Sequence, residues 1–319
     1  MSNETLTSRR PRVIFFGMLS NFSSPSLSSL LESGVDLCAV ILPVSEIPGN
    51  QTPAIQRREL PRINRLPLPI INATLQSSIM QFAWLRQIPV WEVNNLSDAR
   101  TVSTLASYQP DFICVACFSR RIPRSIIDLP RLACLNVHPS LLPANRGPEP
   151  LFWTFHEGCE KAGVTIHFMN EGMDSGDILM QEVIDVPDGI TYAQLEAHCA
   201  MRGGTMLARS VWDLYRGPVK RIQQDDTSSS YHAFPTEQDF VVQVEEWTAQ
   251  RIYKFISGVG RWDRPIELRV GDKHMFVKDV ISYSHNDINN GNILVCSENE
   301  GYLKIRCKDG WVIVRPEKW

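Results

Sequence analysis

No apolar stretch of the 319-residue sequence approaches the roughly 18 residues that a membrane helix needs, so a soluble chain is expected. Arg9-Arg10 ahead of Val13–Leu19 resembles the start of an export signal, but Asn21 and Pro25 cut the apolar run short, and the segment reads instead as a first strand. Paired cysteines are also lacking. Eight are scattered along the chain, and the close pair Cys114 and Cys117 lies in an apolar run with no second pair to complete a zinc site. Buried, reduced thiols and a cytoplasmic setting follow as expectations. The first apolar strand is not followed by G-x-G-x-x-G, which argues against a bound dinucleotide. There is little excess charge: a formal net charge of -3 gives no global pull toward nucleic acid, although a local basic patch remains open. No internal repeat is present.

What is there is a folding chain with 43% hydrophobic and 21% charged residues. The first half alternates short apolar runs with helical patterns, the mark of βαβ units on a parallel sheet. Strands are expected at Val13–Phe16, Val35–Leu42, Phe112–Phe118 and Cys134–Val137, with a helix around Ser26–Ser33 after the Asn21–Pro25 loop. Pro43–Leu68 has no steady periodicity and reads as a long loop carrying Arg57, Arg58, Arg62 and Arg65, either a solvated surface or an acceptor-contacting segment. After Pro148 come a helix through Phe152–His156, strands at Val164–Met169 and Ile178–Val186, and a helix from Tyr192 to about Tyr215, N-capped by Thr191 and stopped by Gly217-Pro218. Short strands with turns at Gly271-Asp272, Asn290-Gly291 and Asp309-Gly310 predict a small β-rich C-terminal part. The expected division is 11–217, a linker at 218–235, and 236–319.

Two segments carry the chemistry. In Asn136-Val137-His138-Pro139-Ser140-Leu141-Leu142-Pro143, followed by Arg146-Gly147, residues two apart share one face of a strand. Asn136 and His138 would then point together into an open cleft at the strand's carboxyl end, where open α/β sheets place ligands. In Glu171-Gly172-Met173-Asp174-Ser175-Gly176, a glycine-punctuated loop could bring a flat ligand close to backbone while Asp174 offers a carboxylate to a neighbouring histidine. His167 reads as a packed strand residue, and His156 and His198 as half-buried helix residues.

These segments resemble the folate-dependent formyltransferase family, which pairs Asn-x-His-x-Ser-Leu-Leu-Pro with a later Asp-x-Gly; here the histidine and aspartate stand 174 − 138 = 36 residues apart. The resemblance implies an α/β fold, a parallel-sheet Rossmann-like catalytic domain followed by a small OB-like barrel. It also implies transfer of a formyl group from 10-formyltetrahydrofolate to an amine, catalysed by Asn136, His138 and Asp174 without a metal. Arg120, Arg121, Ile122, Glu171, Gly172 and Asp174 would hold the folate. Ser140, Arg146 and the Arg57, Arg58, Arg62 and Arg65 cluster would meet the acceptor. Length, the arginine-bearing segment and a β-rich C-terminal part favour methionyl-tRNA as acceptor. Arg146-Gly147-Pro148-Glu149-Pro150 and Thr165-Ile166-His167-Phe168 look closer to the branch acting on nucleotide-linked amino sugars. A catalytically silent folate- or RNA-binding relative is the reading from another class.

Overall fold

A computed structural model describes residues 9–44, 52–59, 78–285, 295–298 and 301–317. The chain divides into two compact units: Met1–Pro143, Val164–Glu182 and Ala197–Ser228 form the first, and Ala144–Gly163, Val183–Glu196 and Ser229–Trp319 the second. The stretch expected as a linker is itself divided, up to Ser228 with the first unit and from Ser229 with the second.

The first unit holds β1 (Arg12–Gly17), β2 (Asp36–Pro43), β3 (Ile55–Arg58), β4 (Val90–Val93), β5 (Phe112–Ala116), β6 (Ala133–His138) and the larger parts of β7 (Lys161–Phe168) and β8 (Ile178–Asp185). They form one sheet in the order β3-β4-β2-β1-β5-β6-β7-β8. From β4 to β6 the neighbours run parallel, while β3 on β4 and β7 on β6 are antiparallel. Every residue of β5 is buried, as a strand covered on both faces requires. One side packs Phe16, Ile41, Ile113 and Val115 against Leu105 and Ile126. Each such side chain contributes about 1.5–3 kcal/mol by leaving water.

Sequence and structure differ at two places here. The first helix, α1 (Ser23–Glu32), starts inside the expected Asn21–Pro25 loop, because Pro25 falls in its first turn, where a missing N–H costs nothing. The expected loop at Pro43–Leu68 contains β3, held to β4 by the pairs Arg57↔Trp91 and Arg58↔Val90; Arg62 and Arg65 lie outside the described residues. The long helix, here α2 (Tyr192–Arg216), has the expected cap: Thr191 Oγ1 accepts from the Gln194 amide, and the Gln194 side chain accepts from the Thr191 amide. Its Gly203 lies so near β6 that an added Cβ would come within 2.5 Å of Val137 Cγ1, so glycine lets this helix seat directly on the strand that bears Asn136 and His138.

The second unit contains α3 (Pro150–His156), α4 (Ala249–Val259) and a six-stranded sheet with β9 (Val241–Gln243) at one edge and β12 (Val295–Glu298) at the other. Pro150 opens α3 two residues before the expected start, at the position where proline suits a helix. Phe152 meets the rings of Phe240, Phe255 and Trp262 at centroid distances of 5.2, 5.7 and 5.2 Å. No helix among the described residues is long and apolar enough to cross a membrane.

His156 sits among Phe152, Trp247 and Phe255, and burial, aided by nearby Arg251, lowers its pKa from 6.5 to about 4. Between these values the unfolded imidazole binds a proton that the folded one refuses, so this group withdraws stability as pH falls through that window. His156→Phe removes the penalty. Its melting temperature is expected to fall less than the wild type's between pH 6.5 and 5, by about 3 °C in differential scanning calorimetry; parallel pH curves for the two proteins would contradict this.

Candidate active site

Asn136 and His138 close the carboxyl end of β6 and point to one side of the sheet. The antiparallel register of β6 and β7 sets His167 opposite Asn136 and Thr165 opposite His138, so all four side chains share that face. Below them, Thr165 Oγ1 donates to the Ser140 carbonyl at 2.6 Å, and the Gln181 amide donates to the Leu142 carbonyl at 2.7 Å and to Thr165 Oγ1 at 3.0 Å. The loop leaving β6 is thus fastened to β7 and β8 and does not rely on its prolines alone.

Asp174 reaches the same place from the loop between β7 and β8. Its φ is +49°, a left-handed conformation that aspartate tolerates better than most residues. Two contacts hold that loop. Gly176 passes so close to the Phe168 carbonyl that an added Cβ would stand 1.8 Å from the oxygen. Gln224, itself buried, donates its amide to the carbonyls of Asp174 at 2.8 Å and Gly176 at 2.7 Å. Ile222, two residues earlier, exchanges backbone hydrogen bonds of 2.8 and 2.9 Å with Ile178. Part of the expected linker therefore builds the site.

The three expected catalytic residues come together, with His167 as a fourth. His138 Nδ1 stands 3.7 Å from Asp174 Oδ2, and His167 Nε2 stands 3.6 Å from Asp174 Oδ1. His167 Nδ1 lies 3.0 Å from the Phe168 carbonyl, which can only accept, so that nitrogen carries the proton. In the neutral ring Nε2 is then an acceptor, and the Asn136 amide donates to it at 3.1 Å and to Asp174 Oδ1 at 3.4 Å. Both Asn136 donors are engaged within the cluster, the one toward Asp174 more weakly. The expected open cleft is not what stands here: His138 is only 4% exposed and the Asp174 side chain 11%. Desolvation on this scale strengthens each charge interaction in the cluster.

The expected folate-side residues line the neighbouring loops in differing ways. Arg120 donates to the carbonyls of Asn94 at 2.6 Å and Val44 at 3.3 Å, binding the ends of β4 and β2 together. Arg121 donates to the Glu171 carbonyl at 2.5 Å, joining the loop after β5 to the exposed Glu171-Gly172 turn. The Ile122 side chain is buried in the core. Among acceptor-side residues, Ser140 is buried at 3% exposure, while Arg146 belongs to the second unit, where its backbone bridges to Tyr231. Arg58 pairs with Glu92 at 2.6 Å and Arg57 with Glu59 at 3.5 Å, so these two cations are partly neutralised.

A model of the family described as "Formyl transferase" matches residues 12–211. The chain is 32% identical to methionyl-tRNA formyltransferase of Syntrophomonas wolfei subsp. wolfei over 236 residues, 74% of this chain and 68% of that protein. Among solved structures it is similar to WlaRD, a sugar 3N-formyl transferase, with a TM-score of 0.63, 18% identity, and coverage of 98% of this chain and 99% of that one. It is also similar to HypX from Aquifex aeolicus in complex with tetrahydrofolic acid, with a TM-score of 0.56 and 14% identity; the match takes in 96% of this chain and 44% of HypX, so the chain spans less than half of that protein's length.

Removing the Gln224 amide leaves two carbonyls without their partner, a change that costs about 1–3 kcal/mol. Gln224→Ala should lose that much stability in urea and speed amide hydrogen exchange at residues 172–176 while leaving β5 protected. Unchanged exchange in this loop would show that Gly176 and the strand pairing suffice to hold Asp174.

Proposed function

The chain belongs to the formyl transferase family, and from that premise we propose that it moves a formyl group from 10-formyltetrahydrofolate to an amine of methionyl-tRNA, with Asn136, His138 and Asp174 as the catalytic residues. The observation that carries the reading is the convergence of these side chains, with His167, on one buried face at the end of β6. A reduced folate as donor agrees with the tetrahydrofolic acid and 5-N-formyl-THF present with HypX and WlaRD.

In this reading the acceptor nitrogen attacks the formyl carbon, the C=O π electrons move onto oxygen, and the new C–N bond forms. An amide donor of Asn136 and an N–H of His138 stabilise that oxygen. For Asn136 this means exchanging its longer 3.4 Å contact with Asp174 for the oxyanion, while the 3.1 Å contact with His167 keeps the amide oriented. Collapse of the tetrahedral adduct breaks the bond to folate N10, and that nitrogen takes up the proton lost by the acceptor amine. Asp174, 3.7 Å from His138 Nδ1, orients that ring so that its other nitrogen can donate to the oxyanion.

Methionyl-tRNA as acceptor is supported by the curated relatives. The second reading, an amino sugar linked to a nucleotide, is favoured by two observations: Arg57 and Arg58 are ion-paired rather than free, and His167 stands in the site within a segment that resembles the sugar-acting branch.

Asn136→Ala and His138→Ala are each expected to lower formyl transfer by about a hundredfold or more with the circular dichroism spectrum unchanged; wild-type turnover in either removes that residue from the mechanism. A panel assay separates the acceptors. With 10-formyltetrahydrofolate as donor, methionyl-tRNA should be formylated at low salt with an affinity that weakens steeply as salt is added. Formylation of a dTDP-linked amino sugar with none of methionyl-tRNA would replace the acceptor and keep the chemistry, and transfer to no amine would remove both.

A further inference from the structure

At the amino-terminal end of β1 and β2, in the middle of the same sheet, lies a cleft of about 530 Å³, lined by Arg9, Arg10, Arg12 and Arg86, by Asp36, and by an apolar wall that includes Val35 and Ile88. Arg12 opens β1 and Asp36 opens β2, whereas Asn136 and His138 close the parallel-running β6, so cleft and catalytic face lie at the two ends of the strands. We propose that this cleft binds a compact polyphosphate, of the kind carried by a nucleoside di- or triphosphate, as a ligand distinct from folate and acceptor.

The arginines divide into one anchored and three available. The Arg12 guanidinium is fixed by Asp36 Oδ2 at 2.8 Å and by the Tyr108 carbonyl at 3.0 and 2.8 Å, and its charge is spent on Asp36. Arg9, Arg10 and Arg86 are exposed, and among the described residues no carboxylate lies within ion-pair distance of them. The Arg9 backbone is held in place, since Tyr215 Oη donates to its carbonyl at 2.9 Å. Three uncompensated guanidinium groups around one cleft are conspicuous in a chain of net charge -3. Guanidinium forks match phosphate oxygens in pairs, and the apolar wall offers a surface for a base or another flat body. The volume falls in the range of small-ligand sites, roughly 300–1,000 Å³.

A nucleic-acid backbone fits less well than a compact anion. An extended track would need free cations beyond the cleft, yet Arg131 is paired with Asp111, and Arg209 and Arg216 both with Asp213.

The test measures binding of inorganic tripolyphosphate and of adenosine and guanosine triphosphates to the full chain by isothermal titration calorimetry. The comparison is with the R9A/R10A/R86A variant and with R10E. None of these side chains anchors the fold, so circular dichroism should be unchanged. Wild type is expected to bind, and both variants to bind at least about tenfold more weakly. Nucleotides binding more tightly than tripolyphosphate would assign the apolar wall to the base, and equal binding would assign the site to inorganic polyphosphate. Absence of binding to wild type, equal binding to the variants, or binding of an RNA oligomer alone would overturn the proposal.

Discussion

The site depends on the antiparallel register of β6 with β7. Because Asn136 stands opposite His167 and His138 opposite Thr165, four polar side chains face one way at the end of a sheet whose strand β5, next to β6, is apolar throughout. A slip of one residue would turn all of β6 over and send Asn136 and His138 to the other face. The register is protected by the Thr165 and Gln181 hydrogen bonds to the loop after β6, and by Gly203, which lets the long helix press on Val137 from the other side.

Burial of these groups is tolerable because each finds a partner. Asp174 faces His138 and accepts from Asn136, Asn136 spends both amide hydrogens within the cluster, and His167 gives its one N–H to a backbone carbonyl. Left unpaired in such surroundings, each polar group would cost about 1–3 kcal/mol. The proposed chemistry relies on the same closeness, since a donor already aimed and stripped of water needs little reorganisation when charge develops nearby. Asp174 in a left-handed turn is a local strain held by its surroundings, chiefly Gln224 and the close passage of Gly176.

Much of this was legible in the sequence. Apolar runs marked the parallel strands, the i, i+2 spacing put Asn136 and His138 on one face, and the glycine-rich loop marked Asp174 as the carboxylate. What stayed hidden depended on contacts between distant segments. His167 is the packed strand residue its sequence predicts, 2% exposed in β7, but its place in the cluster stayed hidden because its partner strand and register were not visible; once β6 and β7 are paired, its position opposite Asn136 follows. Gln224 lay in polar sequence with no periodicity, and nothing local marks a side chain that reaches back 50 residues. Arg57 and Arg58 read as loop because four residues of edge strand are too short to show alternation, and their ion pairs depend on Glu59 and Glu92 being brought alongside.

In the proposed mechanism the Asn136 amide and His138 place hydrogen-bond donors on the formyl oxygen. Infrared difference spectroscopy of a stable 10-formyl folate analogue labelled with ¹³C at the formyl carbon reads this directly in the bound state. The carbonyl stretch should fall on binding to wild type and return toward its solution frequency in Asn136→Ala and in His138→Ala. Equal frequencies in wild type and both variants, with the analogue shown to be bound, would contradict it.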